Sequence, residues 1–147
     1  MKKHAGKVLS LYITPQGNSH PIQCTSLSLE QDGVVGDKHY KSNIDRSILI
    51  TSLESYALVE KNNIAIHYGL LGENLLVDYN PYSLPVGTQL SIGNTILEIS
   101  QACPLCQHLS HIDKRLPKLL KGNRGIFAKV IQAGEIKEND LIHVGSK

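Results

Sequence analysis

Apolar and polar residues alternate along this chain in short bursts, each closed by a turn signal, which is the pattern of strands with one buried face. Residues 7–13 form one burst and residues 74–77 another. Residues 46–50 end in Ile48-Leu49-Ile50, a continuous apolar run that predicts a strand buried on both faces. The clearest local signal is residues 89–92, then Gly93-Asn94, then residues 95–99. Two residues of this type between alternating runs predict a tight hairpin, because glycine and asparagine accept the positive φ that such turns need. Residues 126–131 and 141–144 predict the closing strands. Many short strands spaced by turns predict a mainly β domain, a barrel or sandwich, and a barrel removes exposed edges.

Two interruptions have helical character. Thr51-Ser52-Leu53-Glu54 has the form of a capping box, with Thr51 as N-cap. Leu53, Tyr56, Ala57 and Glu60 follow at helical spacing, and the helix is expected to stop near Asn62-Asn63. Residues 106–121 predict one helix or two short ones about Pro117, since proline is poorly tolerated inside a helix.

Composition narrows the class. A chain of 147 residues has the length of one domain, and 41% hydrophobic with 19% charged residues is an ordinary globular balance. A net charge of +2 gives no reason to expect nucleic acid as a partner, although a local basic patch can still take an anion. The first apolar run is too short for a secretory core, and no stretch is apolar enough to cross a membrane. With three cysteines, an odd number, a disulfide framework is not expected, and the chain reads as cytoplasmic with reduced thiols.

Four clusters carry candidate chemistry. Cys106 follows a predicted strand and precedes a predicted helix, and a thiol at a helix N-terminus has a lowered pKa. Such a thiolate can attack, carry sulfur or bind a soft metal; the alternative is a small buried hydrophobe. Cys103, Cys106, His108 and His111 also form a candidate zinc set, compressed compared with the usual two-cluster arrangement. Cys24 stands apart and reads as structural. In the loop before the buried strand, Gly36-Asp37-Lys38-His39 and Asp45-Arg46 gather carboxylates, cations and an imidazole. Gly72-Glu73-Asn74 precedes a strand, and Asn123-Arg124-Gly125 places a cation beside a glycine at another strand start, where arginine is able to grip a phosphate.

Taken in order, these pieces resemble the MOSC family, named for the C-terminal domain of molybdenum-cofactor sulfurases. The elements are Gly36-Asp37 with His39, Arg46, Gly72 and Asn74 around Glu73, the Gln101-to-Cys106 segment, Arg124-Gly125 and Gly134. The resemblance implies a β-barrel like that of the pyruvate kinase barrel domain, with a few short helices. It implies that Cys106 is the family's cysteine, used in sulfur transfer or as a molybdenum ligand. Asp37, His39, Arg46, Glu73, Asn74 and Arg124 would then surround a pterin molybdenum cofactor, with His39, Arg46 and Arg124 facing its phosphate. Pyridoxal phosphate is a family-level association. The implied partners are cofactor-biosynthesis or sulfur-donor proteins, or an electron-transfer protein for reduction of N-hydroxylated compounds. A non-catalytic pterin- or anion-binding module is the alternative, with Cys106 dispensable. Two departures stand out. Asn139-Asp140 replaces a common Gly-Asp near the last strand, and Cys103-Pro104-Leu105 replaces a basic residue and proline ahead of the key cysteine.

Overall fold

The computed structural model describes residues 2–18, 20–103 and 108–145. Among them are eleven strands: β1 (Lys2–Ile13), β2 (Ile22–Cys24), β3 (Ser26–Glu30), β4 (Gly33–Val34), β5 (Ile48–Ser52), β6 (Leu75–Val77), β7 (Gln89–Ile92), β8 (Thr95–Ala102), β9 (Ile126–Gln132), β10 (Gly134–Lys137) and β11 (Leu141–Gly145). Three short α-helices accompany them: α1 (Leu53–Lys61), α2 (His108–Ile112) and α3 (Leu116–Leu119). None of these helices is long and apolar enough to cross a membrane.

Seven strands pair in the order β11-β7-β8-β9-β5-β6-β1, and β1 pairs again with β11, so the sheet closes on itself as a barrel. All pairs are antiparallel except β5–β6. Closure follows from the alternation in sequence. Leu90 and Ile92, Leu97 and Ile99, and Ile126, Ala128 and Val130 point inward to one buried cluster, while their neighbours face out. Register shifts in β1 and along the β8–β9 pair supply the bends that closing a small barrel requires.

The hairpin expected at Gly93-Asn94 is present, with Ile92 opposite Thr95 and φ of 58° at Gly93. Asn139 takes φ of 71°, so asparagine does serve in the turn before the last strand. A smaller sheet, β10-β3-β4, went unforeseen. It adds Leu27, Leu29, Val34 and Ile136 to the barrel's own core.

The helices cover the outside of the barrel. Tyr12 of β1 and Leu76 of β6 point away from the interior and join Tyr56, Val59, Leu109, Leu116 and Leu120 in a second cluster. β6 is therefore buried on both faces, as its unbroken apolar run requires.

Two sequence expectations are corrected in detail. The cap of α1 is Ser52, whose hydroxyl accepts from Glu54 N at 3.1 Å; Thr51 lies in β5, where its hydroxyl donates to the Arg124 carbonyl at 3.0 Å. Arg46 ends a 3₁₀ turn (Ile44–Arg46) capped by Asn43, and the buried strand starts at Ile48. Of the one or two helices expected between residues 106 and 121, the described residues hold two, with Pro117 in the first turn of α3, where its missing N–H costs nothing.

Candidate functional site

The candidate site lies on the outer surface of the barrel. Leu49 of β5 and Phe127 of β9 are register partners whose neighbours Ile48, Ile50, Ile126 and Ala128 point into the core, so this pair points outward. Above it opens a cavity of about 340 Å³. Its walls are Thr14 and the loop Asp37-Lys38-His39, the turn Gly69-Leu70 with Gly72, Asn74, Arg46, Arg124 and Cys103. Residues separated by most of the chain thus meet where β1 ends, β6 and β9 begin, and β8 runs out.

Asp37 and Asn74 form the scaffold of this wall. Both are buried, and their side chains meet through an Nδ2-to-Oδ1 contact at 3.4 Å. Asn74 Oδ1 accepts from Leu49 N at 3.0 Å and its Nδ2 donates to the Tyr12 carbonyl at 3.1 Å. One side chain therefore staples β1, β5 and β6. Asp37 Oδ1 also accepts from Thr14 N at 2.8 Å, while its Oδ2 receives His39 N at 3.1 Å and lies 3.2 Å from His39 Nδ1. Burial opposes the Asp37 charge, but the hydrogen bonds from His39 and Thr14 outweigh it and hold the carboxyl below its ordinary range. With its oxygens engaged internally, Asp37 fixes the loop and orients His39, whose ring is 55% exposed at the cavity's edge.

The cations come from three directions. Arg46 is exposed, stands 5.5 Å from the Phe127 ring centroid, and, with the Gln101 amide turned so that its oxygen faces the guanidinium, donates through Nε (2.9 Å) and Nη2 (3.3 Å) to that oxygen. Arg124 is buried at 8% exposure and donates from Nε (3.3 Å) and Nη2 (3.0 Å) to the Leu71 carbonyl. Lys38 is exposed on the loop. Together with the His39 imidazole they ring the cavity with groups able to donate hydrogen bonds, an environment suited to an anion.

Glu73 does not line the cavity. It is 1% exposed, and both carboxylate oxygens accept from Tyr56 Oη, at 2.8 and 2.7 Å. Its Oε2 also accepts from Gly69 N at 2.8 Å. Burial raises its pKa above the ordinary carboxyl value, against the lowering effects of the Tyr56 and Gly69 hydrogen bonds and the Arg124 charge.

The structure thus brings Asp37, His39, Arg46, Asn74 and Arg124 together at one cavity and sets Glu73 behind them. Cys106 lies outside the described residues, as do Pro104, Leu105 and Gln107. Cys103, three positions earlier, is half-buried and on the cavity wall, its backbone N–H donating to Gly125 O at 3.1 Å. The zinc set includes Cys106 and so falls partly outside; among the described residues no group of three or more histidines, cysteines or carboxylates is placed to hold a metal. Sequence reasoning missed Gln101 as the partner of Arg46, and Leu49 and Phe127 as the floor. The one available signal was that Phe127 is the only phenylalanine in the chain, on a predicted strand's polar-phase position.

A family model for the MOSC domain matches residues 35–143, which spans every element of the cavity except Thr14 and Pro21. Among solved structures, the YuaD protein from Bacillus subtilis superposes with a TM-score of 0.85 over 100% of both chains at 22% identity. YiiM from Escherichia coli matches with a TM-score of 0.73 over 100% of this chain and 71% of its own, at 21% identity. YiiM from Geobacillus stearothermophilus gives 0.67 over 99% and 76%, at 15% identity. No curated protein sequence matches. At these identities the superpositions establish a shared fold, and the match over residues 35–143 establishes the family: this chain belongs to the MOSC domain family.

Proposed function

We propose that the cavity over Leu49 and Phe127 receives the phosphate-bearing pterin of a molybdenum cofactor, and that Cys106 is the thiolate that works on it. The observation that carries this reading is the convergence of Lys38, His39, Arg46 and Arg124 on one cavity in a MOSC domain. The family is associated with molybdenum-cofactor-related proteins.

The residues fit such a group. About 340 Å³ is at the lower end of the range that encloses a small ligand. The apolar floor of Leu49 and Phe127 suits a flat heterocycle, and the cations above it suit a phosphate. Lys38, His39 and Arg46 would hold the phosphate, with Arg124 supplying positive charge from the buried side. When bound, the cofactor supplies two-electron redox chemistry at a soft metal, for which thiolate is a matched ligand. The chain's own part is to fix the anion, orient His39 through Asp37, and present the thiol.

In the sulfur-carrying form of this reading, the Cys106 thiolate attacks the outer sulfur of a donor persulfide. The S–S bond of the donor breaks, the donor leaves as a thiolate, and Cys106 becomes a persulfide with no net oxidation. In the ligating form Cys106 would be the residue that holds molybdenum, and an electron-transfer protein would supply the reducing equivalents.

The test is a fluorescence titration with the phosphorylated pterin and its dephosphorylated form. Wild type is expected to prefer the phosphorylated form by about tenfold or more, the worth of one charge-assisted contact. Arg46→Gln should markedly reduce that preference, with Lys38, His39 and Arg124 left in place, and keep the thermal midpoint within about 2 °C, since Arg46 is exposed. Equal affinity for both forms in wild type would overturn the assignment of the cations to the phosphate.

A further inference from the structure

Behind the cavity wall lies a buried polar chain that the proposed chemistry does not use. It runs from Glu73 through Tyr56 to the turn at residues 69–72, and on to Arg124. Tyr56 Oη donates to Glu73 and accepts from Gly69 N at 2.9 Å and Leu71 N at 3.2 Å. The carbonyl of the same Leu71 accepts both Nε and Nη2 of Arg124. A single phenol therefore holds the N–H of the peptide unit whose neighbouring carbonyl aims the guanidinium.

The turn itself has little latitude. Gly69 and Gly72 have φ of 91° and 94°, a region other residues enter at a cost. A Cβ on Gly69 would meet the Tyr12 ring at 2.8 Å, so the turn lies flush against β1. The preceding residue of α1, Ser55, donates its hydroxyl to the carbonyl of Asn123, next to Arg124. Adjacent residues of α1 thus anchor both segments that carry Arg124 to the cavity. The burial of Glu73 and its raised pKa fit a group held in place by Tyr56 and Gly69 and facing the Arg124 charge.

We propose that Tyr56 and Glu73 are positioning residues for the anion site: they set the turn at residues 69–72, and through the Leu71 carbonyl they orient Arg124 toward the cavity. The inference rests on reading the cavity as an anion site, but its geometric half is measurable without any ligand. It gives α1, which packs against the barrel away from the cavity, control over anion affinity.

The experiment uses the full chain and inorganic phosphate as the probe. Two readouts are taken on Tyr56→Phe, Glu73→Gln and a control, Thr95→Ala. Thr95 is 1% exposed and caps the distant β7–β8 hairpin through Ile92 O at 2.7 Å, so its loss lowers stability without touching this chain of contacts. The first readout is the phosphate dissociation constant, well below each variant's thermal midpoint. The second is the Arg124 Nε–Hε resonance in the ligand-free protein.

Tyr56→Phe is expected to weaken phosphate about tenfold and to speed solvent exchange of the Arg124 Nε proton. Glu73→Gln keeps one acceptor and should give a smaller shift in the same direction, while Thr95→Ala should leave both readouts at wild-type values. Wild-type exchange at Arg124 in Tyr56→Phe, or changes no larger than in Thr95→Ala, would overturn the positioning role. If wild type fails to bind phosphate at all, the anion-site reading fails, and the Arg124 resonance still decides whether Tyr56 and Glu73 position that side chain.

Discussion

Asn74 offers the sharpest test of how the cavity wall is built. It is 6% exposed, and its amide serves Leu49 N, the Tyr12 carbonyl and Asp37 at once. Asn74→Ala leaves the Leu49 N–H and the Tyr12 C=O without their side-chain partner. Each buried orphan costs about 1–3 kcal/mol, and the adjoining cavity lets water recover part of that. The net loss is about 2–4 kcal/mol, or roughly 5–15 °C in midpoint for a domain of this size. Asn74→Asp separates the two halves of the amide. The acceptor for Leu49 N survives, but an oxygen now faces the Tyr12 carbonyl and Asp37 Oδ1, which lie 3.1 and 3.4 Å from the present nitrogen. Burial and the Asp37 charge raise the new carboxyl's folded pKa above the unfolded value of about 4. Between those two values the folded state binds more protons than the unfolded one, so stability rises as pH falls. Urea unfolding followed by circular dichroism at pH 7 and pH 5 is the assay, with Asn74→Ala as reference so that the background titration common to both drops out. Asn74→Asp should gain on Asn74→Ala as pH falls. An alanine variant within about 1 kcal/mol of wild type, or a pH-independent difference between the two variants, would refute the stapling argument.

Two further predictions follow from the same wall. Asp37 has a depressed folded pKa, so its contribution to stability is present above the unfolded value of about 4 and is lost as pH falls through the folded one. Asp37→Asn should therefore be less stable than wild type at pH 7 and close that gap toward pH 3, as read by thermal melts; a constant gap would remove the His39 and Thr14 hydrogen bonds as its cause. Gly125 has ordinary φ but no room: an added Cβ would lie 2.9 Å from Leu49 Cδ1 and 3.1 Å from Ile50 O. Gly125→Ala should cost about 1–3 kcal/mol by overpacking and weaken phosphate by displacing Arg124, and a variant as stable as wild type in urea would contradict the close approach.

What the sequence made legible was local. The hairpin at Gly93-Asn94 and the stop of α1 near Asn62-Asn63 are decided by neighbouring residues, and Asn63 does take φ of 61°. The strand at 48–50 was legible because a fully buried strand leaves no polar phase. The smaller sheet was missed because β4 has two residues and β10 four, too few to show a period. The cap of α1 moved one residue because both Thr51 and Ser52 offer a hydroxyl, and the choice is made by Arg124 O, which takes Thr51. For the site, the polar residues that meet at the cavity could be named from the sequence, but the contacts that hold them could not. Asp37 and Asn74 sit together in a list of polar loop residues, yet their hydrogen bonds run to Thr14, Leu49 and Tyr12. Glu73 reads as a ligand beside Asn74, but these two loop residues ahead of β6 turn their side chains apart: Asn74 meets Leu49 N, and Glu73 meets Tyr56 of α1. Such assignments depend on contacts between residues distant in sequence.

The most direct test of the proposed function is the molybdenum and pterin content of protein purified from a host that makes the cofactor, for wild type, Arg46→Gln and Cys106→Ser. The account predicts pterin in wild type, its loss or marked reduction in Arg46→Gln, and changed molybdenum or sulfur content in Cys106→Ser with pterin still bound. Wild-type protein carrying no pterin, and taking up none when the cofactor is supplied, would contradict it.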